Sequence, residues 1–143
     1  MDSRLERFYE SLNGKTVAFC GIGRSHEEMI RIFCEKGAKV TVRDKRSREA
    51  LGDTAAKLEG WGAQLILGED YLQNLHEEMI LRTPGMKFTL PELDAAREQG
   101  CAVTSEMELF FDLCPCKIYA VTGSDGKTTT TTIVSEFLKA AGK

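Results

Sequence analysis

The sequence predicts an α/β fold, a parallel sheet with helices along its flanks. Short apolar runs rich in strand formers alternate with stretches of helical periodicity, which is the pattern of strands joined by helical crossovers. A Gly-x-Gly turn follows the first run directly, at Gly21-Ile22-Gly23, and a Pro-Gly turn follows the fourth, at Pro84-Gly85. The expected strands are Thr16 to Cys20, Lys39 to Arg43, Gln64 to Leu67, Met79 to Arg82, Ala102 to Thr104 and Ile118 to Val121. In the first helix, from about Ser25 to Lys36, Met29, Ile32 and Phe33 share one face, and Gly37 closes it with a left-handed cap. The second, from about Arg48 to Leu58, aligns Leu51, Ala55 and Leu58. The third runs from Pro91, suited to a first turn where its missing amide is not needed, to Gln99 before Gly100. A short helix is expected from Glu106 to Leu113, ending before Pro115. In such a Rossmann-like sheet the first five strands would take the order 3-2-1-4-5, with ligands beyond the strand ends where the order reverses.

Bulk properties narrow the function classes. A chain of 143 residues suits one core plus a further fragment, with a boundary around Cys114-Pro115-Cys116. A net charge of −3 offers no basic patch for nucleic acid. The start, Met1 to Phe8, is charged where a signal peptide would be apolar, and no run approaches a membrane span, so a soluble cytoplasmic protein is expected. The five cysteines, at 20, 34, 101, 114 and 116, fit reduced and mostly buried thiols, and His26 and His76 lack the spacing of a zinc site.

Chemistry concentrates at Thr122-Gly-Ser-Asp-Gly-Lys-Thr-Thr129, between the sixth strand-like run and a segment whose apolar residues recur at Ile133, Phe137 and Ala141. Strand, glycine loop and helix start form a phosphate cradle. Gly123 and Gly126 let the backbone approach a polyphosphate, and amides at the helix start face its charge. Lys127 would reach the terminal phosphates and the Thr128 hydroxyl would ligand an accompanying Mg²⁺. The general G-x-x-x-x-G-K-[ST] pattern needs glycine at position 121, where this chain has Val121.

Three further places lie at the ends of the expected strands. Gly21-Ile-Gly23-Arg-Ser-His26 carries two of the three glycines of a dinucleotide fingerprint, with bulky His26 in the third place, which argues against ordinary NAD binding. Asp44 sits at the end of the second strand, at the spacing where an acidic group meets a ribose; the polar stretch Arg43-Asp-Lys-Arg46 is equally consistent with a solvated turn. Thr83-Pro84-Gly85 would face the Gly21 loop across the crevice, although Pro and Gly make turns for structural reasons alone.

In this order and spacing the motifs resemble those of the Mur ligases of bacterial cell-wall synthesis, and within them the D-glutamate-adding branch. The resemblance spans nearly the whole chain: Gly21-Ile-Gly23-Arg-Ser25, Asp44-Lys45-Arg46, Thr83-Pro84-Gly85, Glu106-Met-Glu-Leu-Phe110 and Val121-Thr-Gly-Ser-Asp-Gly-Lys-Thr-Thr129. The last lacks the early Walker glycine in the way of the Mur ligase and folylpolyglutamate synthase group. The resemblance implies that residues 1–114 are an N-terminal domain holding the uridine diphosphate part of UDP-N-acetylmuramoyl-L-alanine through Gly23, Arg24, Ser25, Asp44, Lys45, Thr83, Pro84 and Gly85. Residues 115–143 would open a central ATPase domain, with Gly123, Ser124, Asp125, Gly126, Lys127, Thr128 and Thr129 around ATP, Lys127 and Thr128 catalytic, and Thr128 on Mg²⁺. In the family, ATP phosphorylates the substrate's carboxylate and the amine of D-glutamate attacks the acyl phosphate. The family commonly has Asn where this chain has Asp125, and Ser where it has Thr83. The remaining parts of such an enzyme being absent, the chain alone is expected to be inactive and at most to bind the UDP moiety. Two other classes stay open: a Rossmann module sensing NAD, and a complete small ATPase or kinase, the latter opposed by the lack of an acidic strand end after the loop.

Overall fold

A computed structural model describes residues 3–142; the side chains of Ser3, Arg24 and Ser25 fall outside the described part. The elements run α1 (Ser3–Ser11), β1 (Thr16–Cys20), α2 (Arg24–Glu35), β2 (Lys39–Asp44), α3 (Arg48–Leu51), α4 (Asp53–Gly60), β3 (Gln64–Leu67), β4 (Met79–Arg82), α5 (Pro91–Glu98), β5 (Ala102–Ser105), α6 (Glu106–Leu113) and α7 (Lys127–Ala140). The chain divides into two compact units, residues 1–113 and 114–143.

The first unit holds a five-stranded, all-parallel sheet in the order β3-β2-β1-β4-β5, the expected topology. Residues Val17 to Cys20 of the central strand are all fully buried, because side chains on a middle parallel strand meet helices on both faces. The period of two then sorts them. Val17 and Phe19 join Val40, Val42, Leu81, Ile30 and Phe33 of α2 and Leu58 of α4 in one cluster. Ala18 and Cys20 join Ile80 with Leu93 and Ala96 of α5 in the other. The two central strands are also tied at their starts: the Thr16 amide donates to Glu78 Oε2 (2.9 Å), and the Glu78 amide donates to Thr16 Oγ1 (3.0 Å).

Several local expectations change. The N-terminal segment, read only as charged, forms α1, and Phe8, Tyr9 and the following Leu12 pack on the first cluster. The single helix expected over residues 48–58 is two, broken at Gly52, whose φ of 54° ends α3 while the Ser47 side chain caps its start. Cys20 is the one fully buried thiol among the described residues; Cys34, Cys101 and Cys114 are half-buried and Cys116 is exposed, and all five are free. No helix among the described residues is long and apolar enough to cross a membrane.

The second unit is a loop followed by α7. The strand expected over Ile118 to Val121 does not form: a strand exists through its ladder partners, and no described residue pairs with this segment. Consecutive threonines are poor helix formers, and here Thr131 and Thr132 return their hydroxyls to the carbonyls of Lys127 and Thr128 (2.8 and 2.9 Å).

Candidate functional site

Three strand ends of the first unit converge. After β1 the chain turns through Gly21 at a φ of 88°, and the Gly21 amide donates to Arg43 O (2.7 Å). Gly23 caps α2 in an extended conformation (φ −92°, ψ 167°), with no side chain on the first helical amides. After β4, Thr83 opens a turn closed by the Met86 amide donating to Thr83 O (3.0 Å), with Pro84 and Gly85 at its centre. The Thr83 amide donates to Cys20 O (3.2 Å), so this turn lies directly against the Gly21 loop, as the strand-order argument expects. The approach is close: a Cβ on Gly21 would stand 2.9 Å from Thr83 Cγ2.

Between these loops opens a cleft of about 360 Å³. Gly21, Asp44, Lys45, Thr83 and Gly85 line it, and four of these, all but Gly21, are among the eight residues expected to hold substrate. Gly23 stands beside it at the start of α2, Pro84 is the turn's corner, and Arg24 and Ser25 head the helix with side chains outside the described part. Four lining residues are not among the expected substrate contacts: Tyr71, Met86, Lys87 and Leu90. Met86 and Lys87 directly follow the turn and were within its reach; Tyr71 lies in a loop without periodicity.

Asp44 has a second role. Its carboxylate accepts from the Ile22 amide (2.7 Å) and Arg46 Nη2 (2.9 Å) on one oxygen and from the Arg46 amide and Nε (both 2.9 Å) on the other. That fills the four acceptor positions of a carboxylate, and ties the β1 and β2 loops into one rim. Burial pushes its pKa upward, but the bonds from Arg46 and the Ile22 amide together outweigh this and hold the carboxyl below its ordinary value. A depressed pKa means stabilisation that is complete above the unfolded value of about 4 and is lost as pH falls through the folded one. Asp44→Asn is therefore expected to cost about 1–3 kcal/mol at pH 7, with the gap to wild type narrowing in urea melts at pH 3; an equal gap at both pH values contradicts this.

The stretch Arg43 to Arg46 is only half solvated: Arg43 and Asp44 are buried, Lys45 and Arg46 exposed. Arg43 and Asp44 are 1% and 5% exposed, and Arg46 is pinned by Asp44 and by Ile22 O (2.9 Å). Lys45 is left at the cleft, with only a long, exposed pairing to Glu69 (3.6 Å). His26 occupies the place of the third fingerprint glycine by turning inward: fully buried, edge-on to Phe19 at 5.4 Å, its Nδ1 at 2.8 Å from Gly21 O. Cys20, behind the loop, has its thiol pushed up to about 12 by burial, which makes it inert.

In the second unit, Gly126 adopts the left-handed region (φ 74°, ψ 3°) and precedes α7 with no side chain capping its amides. Lys127 Nζ curls onto the carbonyls of Gly123 (2.5 Å) and Ser124 (3.1 Å), the two residues before the acidic corner Asp125. Ser124, Asp125, Thr128 and Thr129 are exposed around this turn. The geometry fits a phosphate group: uncapped amides, a glycine that needs a positive φ, and one ammonium at hand. Among the described residues no cluster of three or more His, Cys, Asp or Glu could hold a metal ion.

No protein-family model matches the chain. Curated relatives do. The UDP-N-acetylmuramoylalanine–D-glutamate ligase of Acetivibrio thermocellus is 46% identical over 143 residues, covering 99% of this chain and 31% of that protein. The ligase of the same name from Clostridium botulinum strain Hall gives the same identity and coverage. The chain is homologous to one part of these Mur ligases. It spans about a third of their length, and the match runs through both units, the cleft and the phosphate loop alike. Solved structures bear on the fold alone. A dipicolinate synthase structure from Bacillus halodurans aligns over 98% of this chain and 52% of its own with a TM-score of 0.55 at 16% identity. The L-tryptophan dehydrogenase of Nostoc punctiforme aligns over 72% and 33% with a TM-score of 0.51 at 11% identity. The chain thus has a Rossmann-like sheet with a departure at His26.

Proposed function

We propose that the first unit is a substrate domain whose cleft holds the uridine diphosphate group of UDP-N-acetylmuramoyl-L-alanine, and that the second opens an ATP-binding domain of the ligase that joins D-glutamate to it. The observation carrying this reading is the single cleft made by Gly21, Asp44 and Lys45, and Thr83 to Gly85, in a chain homologous to ligases named for a UDP-sugar substrate. The chemistry suits a nucleoside diphosphate. The uncapped amides at the start of α2 and the lysines at 45 and 87 supply donors and charge for phosphates. Gly23, Arg24 and Ser25 stand at that helix start, which supports assigning the diphosphate to it and the base to the side of Asp44 and Lys45.

At the second unit, the amides and Lys127 after Gly123-Ser124-Asp125-Gly126 would hold ATP's phosphates, with the hydroxyl of Thr128 on Mg²⁺ and Thr129 next in the helix. ATP, when bound, would supply the phosphoryl group for the substrate's carboxylate, and Lys127 would hold and neutralise its phosphates. Lys127 must first leave the carbonyls of Gly123 and Ser124.

An NAD-sensing role fits less well. His26 fills the space beneath the loop, where the third fingerprint glycine of an NAD site would let the helix sit close under the pyrophosphate. Titrating the 143-residue chain with UDP is expected to shift amides near Ser25, Asp44 and Gly85 at concentrations where NAD shifts none. ATP, the muramoyl substrate and D-glutamate together are expected to release no phosphate above background. Silence at millimolar UDP, or NAD shifts at the same amides, would count against the reading.

A further inference from the structure

Tyr71 belongs to none of the motifs, yet it lines the cleft together with the Thr83 turn. Its loop, between β3 and β4, is anchored from beneath by a buried ion pair. The Arg43 guanidinium donates from Nε and Nη2 to Glu77 Oε1 (3.0 and 2.9 Å), from Nη1 to the carbonyls of Tyr71 (3.2 Å) and Gln73 (3.0 Å), and from Nη2 to that of Asn74 (3.3 Å). Arg43 and Glu77 are 1% and 3% exposed. Glu77 Oε2 also accepts from the His76 amide (3.1 Å), and Leu72 and Leu75 pack into the sheet's second cluster. Asn74 turns the loop at a φ of 54°, a left-handed conformation that asparagine tolerates. The backbone at Tyr71 is therefore gripped directly by a buried cation, and Tyr71 lines the cleft from this anchored loop.

Tyr71, Met86 and Leu90 give the cleft flat, apolar surface, while Lys45 and Lys87 give it charge. A phosphate needs only the second. A nucleobase, with two apolar π faces, needs the first.

We propose that Tyr71 binds the nucleobase by offering its ring face, and that the Arg43–Glu77 pair is the positioning device behind it. This rests on the reading that the cleft takes a UDP group. The test uses the 143-residue chain and UDP, followed by amide shifts. Tyr71→Phe, which keeps the face and loses the hydroxyl, is expected to bind UDP within about twofold of wild type. Tyr71→Ala is expected to bind roughly tenfold more weakly. Wild type saturated with UDP should show proton–proton transfer between the Tyr71 ring and uracil H5 and H6, a signal that a merely structural tyrosine does not give. If Tyr71→Ala does not fold, Tyr71→Leu keeps the bulk without the π face and should still bind several-fold more weakly. UDP binding that is intact in wild type, with no transfer to Tyr71 or with equal affinity in the Ala or Leu variant, overturns this inference alone. No UDP binding by wild type overturns the substrate reading and this inference with it.

Discussion

Gly21→Ala is expected to lower the stability of the first unit by about 2–4 kcal/mol, from a left-handed residue with a Cβ and from overpacking. The two parts are separable. Gly21 has a φ of 88°, and its added methyl would meet Thr83 Cγ2 at 2.9 Å and Oγ1 at 3.1 Å, but Thr83 Cβ only at 3.6 Å. Thr83→Ala removes both close atoms and leaves an ordinary contact. The double variant should thus recover the packing part and keep the backbone part, about 1–2 kcal/mol. Gly60→Ala is the control: nothing lies within 4 Å of its would-be Cβ, and it ends a helix, so its melting temperature should hold or rise slightly. Trp61, in the same unit, reports the unfolding. A Gly21→Ala melt equal to wild type would remove the claim that these loops touch. UDP binding should fall with Gly21→Ala, because the methyl pushes the Thr83 turn out of the cleft rim.

The second large effect is expected at Arg43 and Glu77. Glu77→Leu leaves a buried guanidinium without its counter-charge, and Arg43→Met leaves a buried carboxylate; each is expected to cost about 3–5 kcal/mol. The pair Arg43→Met with Glu77→Leu discriminates between two roles. If the ion pair were all, removing both partners would be nearly neutral, since the desolvation of both charges is relieved as their attraction is lost. However, Arg43 also serves the carbonyls of Tyr71, Gln73 and Asn74. Those acceptors lose their donor in the double variant, so it should remain destabilised by about 1–3 kcal/mol, less than the sum of the singles. Urea denaturation of wild type, Arg43→Met, Glu77→Leu and the double variant, followed at Trp61, gives the cycle. Additive losses would mean that the two side chains act independently.

The fold was readable because its rules act on short stretches. In Val17 to Cys20, alternate side chains face different helices, and the run's unbroken apolarity marks it as a strand covered on both sides. The strand order alone brings Thr83 to Gly21, since parallel crossovers allow few arrangements. Helix α1 had a signal that went unread: Leu5, Phe8, Tyr9 and Leu12 fall on one face. What could not be read depends on partners distant in sequence. Arg43 lies in a charged tetrapeptide, and only Glu77, 34 residues on, turns it into a core residue. Tyr71 reaches the cleft through that pair, so its place was legible in neither its neighbours nor their spacing. Ile118 to Val121 shows the converse, a segment with strand composition but no neighbour among the described residues to complete a ladder.

The central place of β1 also bears on how the chain is made. On one side β1 pairs with β2, which emerges from the ribosome soon after it; on the other it pairs with β4, with Val17 opposite Met79, more than sixty residues later. Until β4 and β5 are synthesised, half of the nascent sheet ends in an open edge whose strand is Val-Ala-Phe-Cys, all buried in the finished unit. Such an edge templates pairing with any other chain, and non-local parallel pairing is slow. The interval between residues 20 and 82 is thus the period of greatest exposure to misassembly, and the Thr16–Glu78 bonds mark the moment it closes.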